Sequence, residues 1–260
     1  TGCVPSKALI RAAKLAHEVT RASEFGLTAA PAAVDFAAVM DRVAEAVQGV
    51  APHDSVERYT ALGVDVRTGH ARLLDPWHVE VTAADGVREV LSTRAIVIAT
   101  GAAPTVPPLP GLKDVAFLTS DTLWGLRAAP RRLAVLGGGP IGCELALALA
   151  RLGCAVTLVE QAPRLLARED DEVSAFAVDG LRAAGVDVRL GVAVQRVQAA
   201  GTGTPDGALH LADGAAVAFD RLLVAVGRSA RLQGFGLEAL GIPAGRTIET
   251  NEYLETLHPN

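Results

Sequence analysis

The stretch "LAVLGGGPIGCELALALARLGCAVTLVE", residues 133–160, restricts what this chain can fold into more than any other. Leu133 to Leu136 is an apolar run of buried-strand type, Ile141 to Leu152 has helical spacing, and Ala155 to Val159 is a second apolar run. Between the first run and the helix, Gly137, Gly139 and Gly142 spell GxGxxG, and Glu160 closes the second run. A first glycine permits the tight turn, a second lets the backbone approach a pyrophosphate, and a third lets helix pack on strand. The pyrophosphate then rests on the helix N-terminus, where free N–H groups and the macrodipole favour an anion. The order strand, turn, helix, strand, acid predicts a parallel α/β unit that binds NAD, with NADP as the alternative. Gly138 belongs to the same cradle, and Glu160 is expected to accept from the adenosine ribose hydroxyls. The bland alternatives are a glycine-rich structural turn and a solvated strand-end carboxylate.

The same stretch is the most apolar in the chain, but Pro140, Glu144, Arg151 and three consecutive glycines interrupt it, so a membrane span is not expected. With 260 residues, 50% hydrophobic and 20% charged, the chain can bury one large core or two medium ones. Its formal net charge of -5 and the lack of a basic stripe argue against nucleic acid or an anionic membrane as partner. Cys3, Cys143 and Cys154 are too few and too scattered for a disulfide scaffold or a paired-cysteine zinc site, so no metal site is expected and a reducing cytoplasm is the expected location. Cys143 and Cys154 read as small core residues.

Elsewhere the pattern predicts helices over Val4 to Ala22, Phe36 to Val50 and about Ser55 to Leu62, with an Ala/Pro-containing connection from Thr28 to Ala33. Short strands are expected at Val64 to Val66, Ala71 to Leu74, His78 to Val81 and Val87 to Leu91, a β-rich insert. Ala95 to Ala99 reads as a buried parallel strand ending in "ATGAAP", followed by the proline-rich crossing "PTVPPLPGL". After the glycine motif come a helix over Glu172 to Ala184 and strands at Val186 to Leu190, Val192 to Val197, Ala208 to Leu211 and Arg221 to Val226. Strands alternating with helices imply a doubly wound parallel sheet.

"GCVPSK", "VIATGAAPTVPPLPG", "GGGPIGCELA" with "VTLVE", "LLVAVGR" and "TNEYLETLHPN" occur in the order found in the pyridine nucleotide-disulfide oxidoreductases, and the chain resembles that family from Gly2 to Asn260. The family includes dihydrolipoamide dehydrogenase, glutathione reductase and mercuric reductase; "GCVPSK", "RAAKLAH" and "PGL" lean towards the mercuric reductase-like branch. The resemblance implies an NAD-binding domain at 127–238 inserted in an incomplete FAD-binding domain at 1–126, whose β-rich insert spans 64–94, with a truncated return segment at 239–260. The family's flavin-binding glycine motif and a second redox cysteine would lie ahead of Thr1, and its dimerisation domain beyond Asn260. The expectation is an internal fragment of a homodimeric parent that does not retain FAD by itself.

Cys3 then corresponds to the flavin-proximal member of a redox disulfide. That agrees with elementary chemistry, since a helix N-terminus stabilises a thiolate, the reactive form of cysteine. The resemblance puts Lys7 at the flavin's reactive edge and makes Glu144 the carboxylate that pairs with it; without the resemblance, Lys7 is a solvated charge and Glu144 a first-turn helix acid. It also implies cofactor contacts at Ala71, Thr100, Gly101, Val194, Gly227 and Arg228, although "GRSAR" departs from the family's usual continuation after that arginine.

The implied reaction passes electrons from NAD(P)H through FAD and a disulfide containing Cys3 to a thiophilic metal ion, mercuric ion being the model, since soft thiolates select soft metals. Dihydrolipoamide or another small disulfide is the alternative acceptor. A non-catalytic NAD-binding sensor is the alternative of a different class. Glu160 would repel a 2′-phosphate and so favours NADH, with Arg164 as a cation that could soften the discrimination.

Overall fold

The computed structural model describes residues 2–28, 33–201, 206–258 and 260. In chain order the elements are α1 (Cys3–Thr20), α2 (Phe36–Val50), α3 (Val56–Ala61), β1 (His70–Asp75), β2 (His78–Thr82), β3 (Arg88–Ser92), β4 (Ala102–Pro104) and β5 (Phe117–Leu118). They continue with β6 (Arg132–Leu136), α4 (Pro140–Arg151), β7 (Ala155–Glu160), α5 (Asp171–Ala183), β8 (Asp187–Leu190), β9 (Val194–Gln198), β10 (Gly207–Leu211), β11 (Ala216–Phe219), β12 (Arg221–Val224) and β13 (Arg228–Ala230). The chain divides into two compact units, residues 1–51 with 104–227, and residues 52–103 with 228–260.

The first unit is built on a five-stranded parallel sheet in the order β5-β12-β6-β7-β8. Successive side chains of a strand point to opposite faces, and β6 uses both. Leu133 and Val135 face a core with Leu145 and Leu149 of α4, Leu9 and Ala13 of α1, Met40 and Val43 of α2, and Leu181 of α5. Ala134 and Leu136 face the other way, into a core with Val197, Leu209, Val217 and Phe219 of the antiparallel sheet β11-β10-β9. The expected parallel α/β class is present, with helices on one face and a small meander on the other. Because β6 is buried on both sides, it reads as a continuous apolar run.

Helix α1 is held by Pro5, Leu9 and Ala13, its buried residues. The spacing of four puts them on one face, and Ala13 lets α1 approach its neighbours closely. Burying a leucine such as Leu9, which has no exposed surface, is worth about 1.5–3 kcal/mol.

The second unit contains the three-stranded antiparallel sheet β1-β2-β3 and the pair β4-β13, with Leu73, Leu237 and Ile242 as its buried apolar centre. Two expectations fail here. Val64 to Val66 is not a strand, and neither is Ala95 to Ala99, where Val97 is 89% exposed while Ile96 and Ile98 pack against the unit's core. Apolar alternation shows which residues can be buried, but a strand needs a neighbouring backbone to pair with, and among the described residues none pairs with this run. The expected Thr28 to Ala33 connection lies largely outside the described residues. Among those described, no helix is long and apolar enough to cross a membrane.

Candidate functional site: a glycine turn and a cysteine helix

The strand order places a topological switch between β6 and β12: from β6 the chain proceeds outward to β7 and β8, while β12 returns on its other side. Ligands of open parallel sheets bind outside the carboxyl ends of strands at such a point, and the glycine turn leaves β6 there. Gly137 adopts φ 110°, a left-handed conformation that favours glycine. A Cβ on it would lie 2.5 Å from the Ala225 carbonyl oxygen, so the turn is pressed against the chain leaving β12. On Gly142 a Cβ would lie 2.0 Å from the Gly137 carbonyl oxygen; the third glycine is required by helix-to-turn contact. Gly139 differs: a Cβ there would have nothing within 4 Å. Gly139 is also the N-cap of α4, with no side chain capping the helix and Pro140 opening it. First-turn N–H groups of a helix have no internal acceptor, so the turn combines uncapped donors with an open approach.

Glu160 is bonded to this turn. Its Oε2 accepts from the Gly138 N–H at 2.6 Å, and its Oε1 accepts from the Ala162 N–H at 2.8 Å. The Gly138 carbonyl accepts from the Leu166 N–H at 2.9 Å and from the Cys143 thiol at 3.4 Å. Four contacts therefore hold the turn and carboxylate as one piece. The sequence reading missed the contribution of Leu166, which has φ 48°, because nothing in a leucine announces a left-handed backbone.

Helix α4 also carries Glu144, one turn beyond Pro140. The Lys7 ammonium of α1 donates to both Glu144 oxygens, at 2.7 and 2.8 Å. Cys3, the first residue of α1, is a free, exposed thiol; Gly2 caps the helix without a side-chain bond, and the first turn contains no acid. The structure thus brings Cys3, Lys7, Glu144, Gly137, Gly138, Gly139, Gly142 and Glu160 into the first unit.

The other expected site residues lie elsewhere. Gly227 ends the first unit and accepts from the Thr105 N–H at 2.9 Å. Val194 begins β9 and is buried in the meander-facing core. Ala71, Thr100, Gly101 and Arg228 belong to the second unit. Ala71 is exposed on β1 opposite Val81; the Thr100 hydroxyl donates to the Arg231 carbonyl at 2.8 Å; and Arg228 donates to the Ala102 carbonyl at 2.7 Å. Gly101 takes φ 71° and accepts from the Arg231 N–H at 3.0 Å.

The remaining cysteines differ from Cys3 in environment. Burial, reinforced by the Glu160 and Glu144 carboxylates, pushes the Cys143 thiol up to about 11. Burial, with Asp220 adding to it, pushes Cys154 up to about 11 as well. Neither supplies thiolate near neutral pH, and the described residues contain no group of histidines, cysteines and acids that could hold a metal ion.

The family model described as pyridine nucleotide-disulphide oxidoreductase matches residues 1–260. A mercuric reductase of Streptomyces lividans is 36% identical over 271 residues, covering 99% of this chain and 55% of the relative. A dihydrolipoyl dehydrogenase of Pseudomonas aeruginosa is 33% identical over 267 residues, covering 98% of this chain and 55% of the relative. The Cu(II) complex of the HOCl-induced flavoprotein disulfide reductase RclA from Escherichia coli superposes with a TM-score of 0.84 at 28% identity, over 99% of this chain and 54% of that one. The chain spans about half the length of the curated relatives it matches. With its whole length matched by the family model, the chain belongs to the pyridine nucleotide-disulphide oxidoreductases.

Proposed function

We propose that the protein carrying this chain uses NAD(P)H to reduce a thiophilic metal ion, mercuric ion in the first instance, through FAD and a disulfide that includes Cys3. The observation that supports this most is the Lys7–Glu144 pair. It ties the helix that begins with the exposed cysteine to the helix that begins at the glycine turn, so one rigid element, α4, serves both ends of the electron path.

Both cofactor ends find suitable residues. A dinucleotide fits the glycine turn, because Gly139 leaves open space, α4 has no side-chain cap, and Glu160 is fixed at the end of β7. A flavin suits the start of α1, where Cys3 and Lys7 are both exposed one turn apart. FAD, when bound, supplies two-electron transfer between NAD(P)H and the disulfide. Uncapped N–H groups of α4 would hold the pyrophosphate. Each Glu160 oxygen has one N–H partner and a second lone pair available to a ribose hydroxyl. Lys7 would place positive charge at the flavin, held in position by Glu144. The N-terminus of α1 would stabilise the Cys3 thiolate left beside the flavin when the disulfide is reduced.

A small disulfide such as lipoamide is the second reading, favoured by the 33% identity to a dihydrolipoyl dehydrogenase. NAD(P)H oxidation by the protein, measured with mercuric ion and with lipoamide, separates the two. In Cys3→Ser, acceptor reduction should vanish while flavin reduction by NAD(P)H persists; normal acceptor turnover in that variant would overturn the assignment.

A further inference from the structure

The loop that follows β7 is attached to the glycine turn. Leu166 donates its N–H to the Gly138 carbonyl, Leu165 is fully buried, and a Cβ on Gly138 would lie 2.5 Å from Leu165 Cδ2 and 3.1 Å from Glu160 Cβ. Arg164, directly before Leu165 and four residues after Glu160, therefore belongs to a loop anchored at the turn beside the carboxylate expected to hold the ribose. An arginine there would ordinarily favour a 2′-phosphate, because its planar fork matches phosphate oxygens.

This fork is already occupied. Arg164 Nη1 is paired with Asp171, and Nη2 donates to the Ala167 carbonyl at 2.9 Å. The open depression beside it, about 510 Å³, is lined by Arg164 and by Glu169, Asp170, Asp171 and Glu172, four carboxylates to one guanidinium. A phosphate approaching Arg164 must displace an existing anionic partner and enter a region of its own sign.

We propose that Asp171 is a specificity-determining residue: it clasps Arg164 within the loop and so keeps the guanidinium from a 2′-phosphate, leaving a site that takes adenine nucleotides with a free 2′-hydroxyl. This rests on the glycine turn being the dinucleotide site. Asp171 itself touches no part of the turn; it acts through Arg164, and its position in the first turn of α5 makes it a favourable helix-start acid in addition. Arg168, also in this loop, is exposed, which is why the test removes Arg164 specifically.

Calorimetric titration of the full-length, flavin-loaded protein that carries this chain with 5′-AMP and with adenosine 2′,5′-bisphosphate, at low salt, tests the clasp without any turnover. Wild type should bind 5′-AMP more tightly. Asp171→Asn should leave 5′-AMP affinity within about twofold and tighten the bisphosphate about two- to fivefold, the order of one exposed ion pair released. Adding Arg164→Ala should remove that gain. Asp171→Ser, which also suits a helix start, should reproduce the result if asparagine disturbs α5. No gain in either single variant, or a gain that survives Arg164→Ala, overturns the clasp. Failure of wild type to bind 5′-AMP at all overturns the dinucleotide reading, and the clasp with it.

Discussion

Lys7 of α1 and Glu144 of α4 stand 137 residues apart in sequence and are joined by two hydrogen bonds, Nζ to Oε1 at 2.7 Å and to Oε2 at 2.8 Å. The side chains are 60% and 42% exposed. A pair that wet is worth only about 0–1 kcal/mol to stability, while the cores around Leu9 and Leu145 hold the two helices together far more strongly. On the proposed function, the value of the pair lies in placement of charge.

We therefore expect Glu144→Gln to move the melting temperature by less than about 4 °C. In the flavin-loaded protein the same change should slow flavin reduction about tenfold, through loss of a positioned charge. Scanning calorimetry and stopped-flow absorbance provide the two readings. A large loss of melting temperature with unchanged flavin reduction would make the pair a structural brace instead.

Gly139 and Gly142 belong to one motif but should fail in opposite ways. Gly142→Ala drives a Cβ to 2.0 Å from the Gly137 carbonyl, so the turn or α4 must shift, at a cost of about 2 kcal/mol or more. Gly139→Ala meets no atom within 4 Å and sits at φ -77°, which any residue adopts. It should fold normally and, on the proposed function, lose dinucleotide affinity, because its methyl group would enter the open space offered to the pyrophosphate. Urea denaturation and NADH titration of both variants give the comparison; equal stability for the two would contradict the packing argument.

The three free cysteines should react in two classes. In the native chain dithionitrobenzoate should modify Cys3 quickly and Cys143 and Cys154 only after unfolding. The two slow thiols also carry a pH dependence. Each has its folded-state value raised from 9.0 to about 11, so the fold favours the protonated form. Their contribution to stability is complete below about 9 and is lost as pH rises through about 11, because the unfolded chain gives up these protons first. Urea midpoints should accordingly fall between pH 9 and 11, and fall less in Cys143→Ala/Cys154→Ala.

Glu160 should favour NADH over NADPH, since it can bond a 2′-hydroxyl but repels a 2′-phosphate. Glu160→Ala should reduce that preference about tenfold or more. It should also destabilise the chain by about 1–3 kcal/mol, because the Gly138 and Ala162 N–H groups lose their acceptor. Equilibrium titration with both nucleotides, alongside denaturation, measures both effects. A wild-type preference for NADPH would refute the assignment.

Much of the first unit was legible in the sequence because its signals are local. A strand buried on both faces must be continuously apolar, as Leu133 to Leu136 is, and a close helix-to-turn contact must have glycine, as at Gly142. The spacing from Gly137 to Glu160 therefore announced a tight glycine turn closed by a carboxylate, and apolar residues at helical intervals announced α1, α2, α4 and α5. Strand pairing is not local. Ala95 to Ala99 has the composition of a buried strand yet leaves Val97 89% exposed, because backbone hydrogen bonding requires a partner that composition cannot supply. By their own neighbours Lys7, Glu144, Arg164 and Asp171 are four ordinary charged residues. The family resemblance paired the first two, which the packing of α1 on α4 brings together, but only the fold of the loop after β7 closed Asp171 on Arg164. A side-chain contact between residues far apart along the chain depends on where the backbone has been carried, and that is decided by the burial of the whole core.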